Sequence, residues 1–363
     1  MNLQANLPKK YSSVFDFAAI QLRGLITVHP NQFPMYTTGG RWDFSGETWT
    51  NWCEGFLGGQ LWLVYLHTQD SWWREQAEHY AHLIEPRKTD RAVHDLGFLF
   101  WPTWKRWYDL TGDPAIQTVV IKAGRTLALR YNVKGNYLHS FLTPDSLFID
   151  IMMNVGIIFY AAQQTGDLGL YEIGLQHCLT SRRFLVRGDG STAHEGLFDL
   201  DTGEFLRQST QQGWRADSCW ARGLAWALYG FTTVYSFTRD DRFLDTARAC
   251  ANFYISHIPA HGVPPNDFDE PEPRCPYESS AAAIAASGLL DLARLSGRAQ
   301  YRQQALRILD TLTSPEFLAD QTPGWEGLLK HGIYHQRKGL GVDESVIWGD
   351  YFFLEAVGKV LDE

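Results

Sequence analysis

Two aspartates stand where the chain could hold and move a proton. Asp150 lies in Asp145-Ser-Leu-Phe-Ile-Asp150-Ile-Met-Met-Asn154, with Leu147, Phe148, Ile149, Ile151, Met152 and Met153 about it. Desolvation among such neighbours disfavours the anion and raises a carboxyl pKa. A general acid working near neutral pH needs that property. The competing reading is a buried Asp satisfied by backbone or by an arginine. Asp145 and Ser146 read as the start of the helix that carries it, since short polar side chains accept the free N–H groups of a first turn. Asp150 then falls about one turn inside. Asp95, in His94-Asp95-Leu-Gly97-Phe98, reads in isolation as an N-cap. On the same rim as Asp150, it would complete a pair, and two carboxylates facing one cavity divide into an acid and its partner.

Arg222, in Asp217-Ser-Cys-Trp220-Ala-Arg222-Gly223, sits near a predicted helix start, where its charge opposes the helix dipole. Helix stability does not place it there. A guanidinium at that point can grip a carboxylate through two parallel bonds, or it can pair with a rim acid such as Asp217. Gln212 and His194, on the preceding loop, are candidate hydrogen-bonding partners, although a lone loop histidine is more often a surface residue. Trp49, Trp220 and Trp226 are stacking faces or core, with core the stronger reading for Trp226. Ser146 and Ser218 read as caps and not as nucleophiles. There is no phosphate-binding glycine loop, no His-Glu-x-x-His and no cysteine pair at metal spacing. The expected chemistry uses carboxylates alone, with no metal and no cofactor.

These residues need a scaffold, and a repeat supplies it. Leu66-His-Thr68-Gln-Asp70, Asp109-Leu-Thr111-Gly-Asp113, Gln163-Gln-Thr165-Gly-Asp167, Ser236-Phe-Thr238-Arg-Asp240 and Arg294-Leu-Ser296-Gly-Arg298 each end one helix and open another. More apolar helices precede these turns, near 53–67, 95–110, 146–164, 218–236 and 278–295, with a sixth at 343–361. Amphipathic partners fall near 13–28, 71–85, 114–131, 168–186, 241–257 and 299–313. A helix apolar nearly all round must be buried on all sides, so the first set is inner and the second outer. The pattern predicts a single (α/α)6 toroid after a short extension at 1–12, with a small hairpin as the most β structure. The long connections, 31–52, 131–144, 188–214, 257–276 and 314–342, all lead into inner-helix starts, so one rim carries the function.

Composition excludes several classes. A net charge of −9 leaves no surface for a nucleic acid. Fourteen tryptophans in 363 residues suit flat sugar rings as well as a core. The N-terminus lacks the apolar core of a signal peptide, and no run is long enough to span a membrane. Cys53, Cys178, Cys219, Cys250 and Cys275 are odd in number and scattered, which reads as reduced core thiols in a cytoplasmic protein.

The motifs His94-Asp95-Leu-Gly-Phe98, Ile149-Asp150-x-Met-Met-Asn154, Gln212 with Trp220-Ala-Arg222-Gly, Gly341-Val-Asp-Glu-Ser345 and Trp348-Gly-Asp-Tyr351 together resemble the unsaturated glucuronyl hydrolases of glycoside hydrolase family 88, from about Trp49 to the end. The resemblance implies the same toroid. It implies Asp150 as general acid and base, Asp95 as its partner, and Trp49, His94, His194, Gln212, Trp220, Arg222 and Trp226 around the bound sugar. The implied partner is an oligosaccharide ending in a Δ4,5-unsaturated uronic acid, handled by a monomer or weak homodimer. Protonation at C4 of its vinyl ether and addition of water at C5 would give a hemiketal that opens and frees the rest of the sugar. Two departures stand out. Phe141 occupies the position of a frequent family tryptophan. The last long loop reads Ile333-Tyr-His-Gln-Arg337-Lys338 in place of a sulfate-binding Ser-x-x-Ser-x-Lys, leaving Arg337 and Lys338 as possible anion contacts. Two alternatives use similar toroids. An unsaturated rhamnogalacturonyl hydrolase is disfavoured by the His94-Asp95 pair, and a sugar 2-epimerase would lean on paired histidines.

Overall fold

A computed structural model describes residues 3–47, 49–271 and 277–363, with side chains from residue 9 onward. Cys275 therefore lies outside the described residues. Helices alternate between two sets. The inner set is Glu54–Thr68, Leu96–Thr111, Ile151–Thr165, Ala221–Thr238, Ser279–Ser296 and Ile347–Leu361. The outer set is Leu3–Val28, Ser71–Ile84, Pro114–Ala128, Leu168–Leu185, Asp241–His257 and Ala299–Leu312. Each inner helix packs on the next, and Ile347–Leu361 packs back on Glu54–Thr68, which closes the (α/α)6 toroid. Burial follows the sequence pattern. Gly55–Val64 and Ala221–Thr232 are buried without a break, whereas outer helices bury one stripe, as Ala299–Leu312 does with Tyr301, Ala305, Ile308, Leu309 and Leu312.

The repeated turns work by one device. The residue after Thr, namely Gln69, Gly112, Gly166 or Arg239, takes the left-handed conformation that ends the inner helix. The Asp that follows then accepts N–H bonds from the first turn of the outer helix: Asp70 from Trp72, Asp113 from Ala115, Asp167 from Gly169 and Asp240 from Arg242, at 2.8–3.0 Å. Arg298 at the fifth turn cannot do this, and its helix starts without a side-chain cap.

The opposite rim departs from expectation in four places. The predicted helix start at Asp145-Ser146 is a strand: Ser146–Phe148 pairs antiparallel with Glu195–Phe198, which pairs in turn with Phe205–Ser209. The Ser146 hydroxyl donates to Glu195 Oε1 at 2.6 Å and caps nothing. The helix begins only at Ile151, so Asp150 moves from its interior to its N-cap position. Likewise the fourth inner helix begins at Ala221 and not at Asp217 or Ser218; Ser218 donates to the buried carboxylate of Asp267 at 2.6 Å. The sixth begins at Ile347 because Leu340–Glu344 pairs with Gly332–His335. The second is interrupted by a wide turn at Trp101–Lys105, where Pro102 has no N–H for the helical ladder. Four small sheets line this rim among the described residues, more β structure than the single hairpin expected. At the other end of the chain, the stretch read as an extension is helical from Leu3 and continuous with the first outer helix.

Two glycines let inner helices approach at backbone distance. A Cβ on Gly97 would lie 2.5 Å from Asn154 Cα, and one on Gly230 would lie 2.6 Å from Met152 O. Both contacts fall on the segment that carries Asp150. We expect Gly230→Ala to cost about 1–3 kcal/mol through overpacking and to lower kcat by pushing the Asp150 segment. A thermal melt and a rate on one preparation check this. An unchanged melting temperature would show that the contact yields freely.

Candidate active site

Four inner-helix starts build the site. Asp95 and Asp150 occupy the N-cap positions of Leu96–Phe100 and Ile151–Asn154, yet neither side chain caps its helix. Asn154, fully buried, fixes both. Its Oδ1 accepts from Phe98 N–H at 2.8 Å, and its Nδ2 donates to Asp95 Oδ1 at 3.3 Å and to Asp150 O at 3.2 Å. The two carboxyl groups are thus free of capping duty, and one amide holds the Asp95 carboxyl and the Asp150 backbone.

Each carboxyl faces a histidine in the same way. His94 Nδ1 accepts the N–H of Phe141 at 2.9 Å, so its proton is on Nε2, which lies 3.3 Å from Asp95 Oδ1. His194 Nδ1 accepts from Gln211 N–H at 3.1 Å and Gln212 N–H at 3.3 Å, which puts its Nε2–H toward Asp150 Oδ2 at 3.5 Å. Burial holds His94 well below the usual imidazole range and His194 down to about 3. Both rings are neutral at pH 7, so these contacts are dipolar and not ion pairs. Asp150 Oδ2 and His194 Nε2 have no hydrogen-bond partner among the described residues, and 3.5 Å is too long for a formed bond. The carboxyl is aimed and left unsatisfied.

Burial also governs the carboxyl groups. It pushes Asp150 up to about 6, with Arg222 pulling the other way. It pushes Asp95 well above the carboxylate range, reinforced by the charge of Asp150. Both shifts run the same way, so each carboxyl favours its protonated form more than a solvent-exposed aspartate does.

Arg222 is 1% exposed and stacks 4.5 Å over the Trp220 ring and 5.2 Å over that of Trp348. It donates to Gln212 Oε1 at 2.6 Å, Ile333 O at 2.5 Å and Tyr334 O at 2.9 Å. Its acid is not Asp217, which pairs with Arg215 at 2.9 Å on the surface, but Glu278 at 3.9 Å. Sequence reading missed Glu278, although it stands at the fifth inner-helix start as Asp95 stands at the second. Tyr334 and His335 were missed as well, and only the folded strand Gly332–His335 reveals them.

Aromatic rings complete the wall. Trp220 lies 4.6 Å from His194, which lies 4.7 Å from Phe148. Phe141 lies 5.4 Å from His94 and 6.2 Å from half-buried Trp49. Trp49 also meets His335 at 5.2 Å, and Lys338 Nζ sits 4.5 Å over its ring while bonded to Glu47. Arg337 is exposed beside Lys338, and its charge reaches His335. Trp226 is 1% exposed between Phe98 and Phe352, beneath the others and in the core. No cluster of possible metal ligands exists among the described residues.

A helical toroid whose mouth gathers proton-holding carboxyl groups, a buried guanidinium and a ring of aromatics has the architecture of a carbohydrate-processing enzyme. The sequence profile of Glycosyl Hydrolase Family 88 matches residues 27–322. An unsaturated glucuronyl hydrolase of Formosa agariphila is 34% identical over 320 residues, 85% of this chain and 80% of that one. The crystal structure of an unsaturated glucuronyl hydrolase specific for heparin superposes with a TM-score of 0.91 at 28% identity, covering 98% and 97% of the two chains. That of the glycosaminoglycan-degrading enzyme of Bacillus sp. GL1 gives 0.89 at 29%, with 96% of each chain covered. The chain belongs to glycosyl hydrolase family 88.

A carboxyl whose pKa is raised on folding stabilises the fold below its unfolded pKa and loses that contribution as pH climbs through the folded value. For Asp150 the window runs from about 4 to about 6. Asp150→Asn should therefore melt higher than wild type at pH 8, by on the order of 2–3 kcal/mol in stability, with the advantage shrinking toward pH 4. A difference independent of pH would mean that Asp150 ionises in the fold as freely as in the unfolded chain.

Proposed function

We propose that this family 88 enzyme removes the Δ4,5-unsaturated uronic acid from the non-reducing end of lyase-generated oligosaccharides, with Asp150 as the group that moves the proton. The observation that carries this assignment is the Asp150 carboxyl itself. Its pKa is raised to about 6, it is turned out of its N-cap role, and one of its oxygens is left unsatisfied by any described residue. Protonation of C4 by Asp150 places cationic character at C5. The resulting carboxylate then takes a proton from the water that adds there, and the hemiketal opens. One group serves as acid and then base, so the spacing rule for ordinary retaining and inverting pairs does not govern the outcome.

Asp95 is the partner of Asp150, linked to its backbone through Asn154. His94 holds Asp95 and anchors Phe141, while His194 aims Asp150. Arg222 and Gln212 take the substrate carboxylate, and that grip fixes which face of C4 meets Asp150. Trp220 flanks the unsaturated ring, and Trp226 supports this wall from below. Trp49 and Phe141 form the outer edge, where Lys338 and Arg337 meet an anionic group on the next sugar. Buried free thiols at Cys53, Cys178, Cys219 and Cys250 fit a reducing, cytoplasmic setting. No helix among the described residues is long and apolar enough to cross a membrane. The assembly proposed is a monomer or weak homodimer.

Loss of the ultraviolet absorbance of the conjugated double bond reports the reaction. Asp150→Asn should reduce kcat at least about 10³-fold with binding retained, and activity above a tenth of wild type would remove Asp150 from the role. Arg222→Lys keeps the charge and loses the planar fork, so KM should rise about tenfold. A wild-type KM with a lowered melting temperature would make Arg222 a structural residue only.

A further inference from the structure

Glu278 is the most enclosed acid near the site and has no part in the scheme above. It is fully buried, and its carboxylate is saturated with donors. Oε1 accepts from Ser280 Oγ at 2.6 Å and from Ile333 N–H at 3.1 Å, and Oε2 accepts from Ala281 N–H at 2.7 Å. The last bond caps the inner helix Ser279–Ser296. Arg222 Nη1 lies 3.9 Å from the same Oε1 and donates to Ile333 O. Glu278 therefore holds Ile333 by its N–H while Arg222 holds it by its carbonyl. Between them they clamp the strand that presents Tyr334 and His335.

We propose that Glu278 is a positioning residue of the active site, one that seats Arg222 against the strand Gly332–His335 and offsets the positive charge Arg222 presents to Asp150. The inference rests on the reading of Asp150 as the proton donor. A cap needs only a neutral acceptor, and Ser or Asn would serve. A buried carboxylate costs desolvation, and here it faces the one buried guanidinium that the Asp150 carboxyl also feels. The charged and titratable groups about Arg222 are Glu278, Asp150, Tyr334, His194 and His335. About Glu278 they are Arg222 and Tyr254, and about Asp150 they are Arg222, His194 and Asp95. Both histidines are neutral, and so are the tyrosines. Burial raises the Glu278 carboxyl, while Arg222 and its three donors pull it back down, and Arg222 is the positive charge it faces.

Removal of the Glu278 charge should bare Arg222, stabilise the Asp150 anion and make its proton easier to lose. In Glu278→Gln the basic limb of kcat/KM should move to lower pH by about half a unit to one unit, a threefold to tenfold change in proton affinity. Glu278→Asp keeps the charge but withdraws it by one methylene, so its limb should fall between the other two even if the Gln variant does not fold. Ser280→Ala removes a bond to Glu278 without altering charge; it should lower the melting temperature and leave the limb in place. A limb that stays at the wild-type pH in Glu278→Gln, or in Glu278→Asp should that alone fold, overturns the proposal. Asp150→Asn separates the two readings. If it keeps the limb, the proton donor was misassigned; if it is inactive while the Glu278 variants show no shift, only the role of Glu278 falls.

Discussion

The Asn154 carboxamide is the contact on which the site turns. It closes the gap between two inner helices by accepting from Phe98 N–H, and it spends its amide protons on the Asp95 carboxyl and the Asp150 carbonyl. Because it is fully buried, each of those bonds would leave an orphaned polar group if broken, a cost of about 1–3 kcal/mol apiece. Gly97 permits the approach, since any side chain there would meet Asn154 backbone. The second and third inner helices can then begin side by side with their acids facing one cavity.

A toroid suits this purpose because its two rims have different work. On one rim, short turns with a left-handed residue and an Asp cap join each inner helix to its outer partner at little cost in chain length. On the other rim every inner helix begins, and the N-terminal ends converge. At the second and third of these ends, Asp95 and Asp150 are released from capping, whereas Glu278 caps the fifth. Strand Ser146–Phe148 delivers Asp150 to its helix start without a cap bond, and the hairpin Gly332–Glu344 delivers Tyr334 and His335 to Arg222. The result is a buried setting in which carboxyl pKa values rise and imidazole pKa values fall. Both shifts have the same origin in burial.

The two histidines show how such a mouth is tuned. Each gives its Nδ1 to a loop N–H and so commits its proton to Nε2, facing a carboxyl. His94 thereby joins the Phe141 loop to Asp95, and His194, held by the Gln211–Gln212 loop, faces Asp150 without a formed bond. Gln212 then reaches Arg222, which reaches Glu278 and the last strand. Loops from four separate connections are joined in this way by side chains that also touch the reacting region, which gives the site rigidity.

Much of this was legible in the chain itself. Helical periodicity and the Thr-x-Asp turns determined twelve helices and their pairing, because local spacing controls both amphipathicity and capping. Residue type marked Asp150 and Arg222, since a carboxyl among Ile and Met or an arginine at a helix start has no cheap structural reason; Asp95, alone a plausible cap, was singled out by its place on the same rim. Where the inner helices begin was not legible. Leu147 and Phe148 satisfy a helix face as well as a strand, and only pairing with Glu195–Phe198, nearly fifty residues on, chooses between them. For the same reason Glu278 stayed hidden as the partner of Arg222, while Asp217, nearer in sequence, proved to lie on the surface. Trp226 and Trp220 illustrate the remaining limit. Both are large aromatics at one helix, each 1% exposed, and only the packing separates them: Trp226 meets Phe98 and Phe352, whereas Trp220 meets His194 and Arg222.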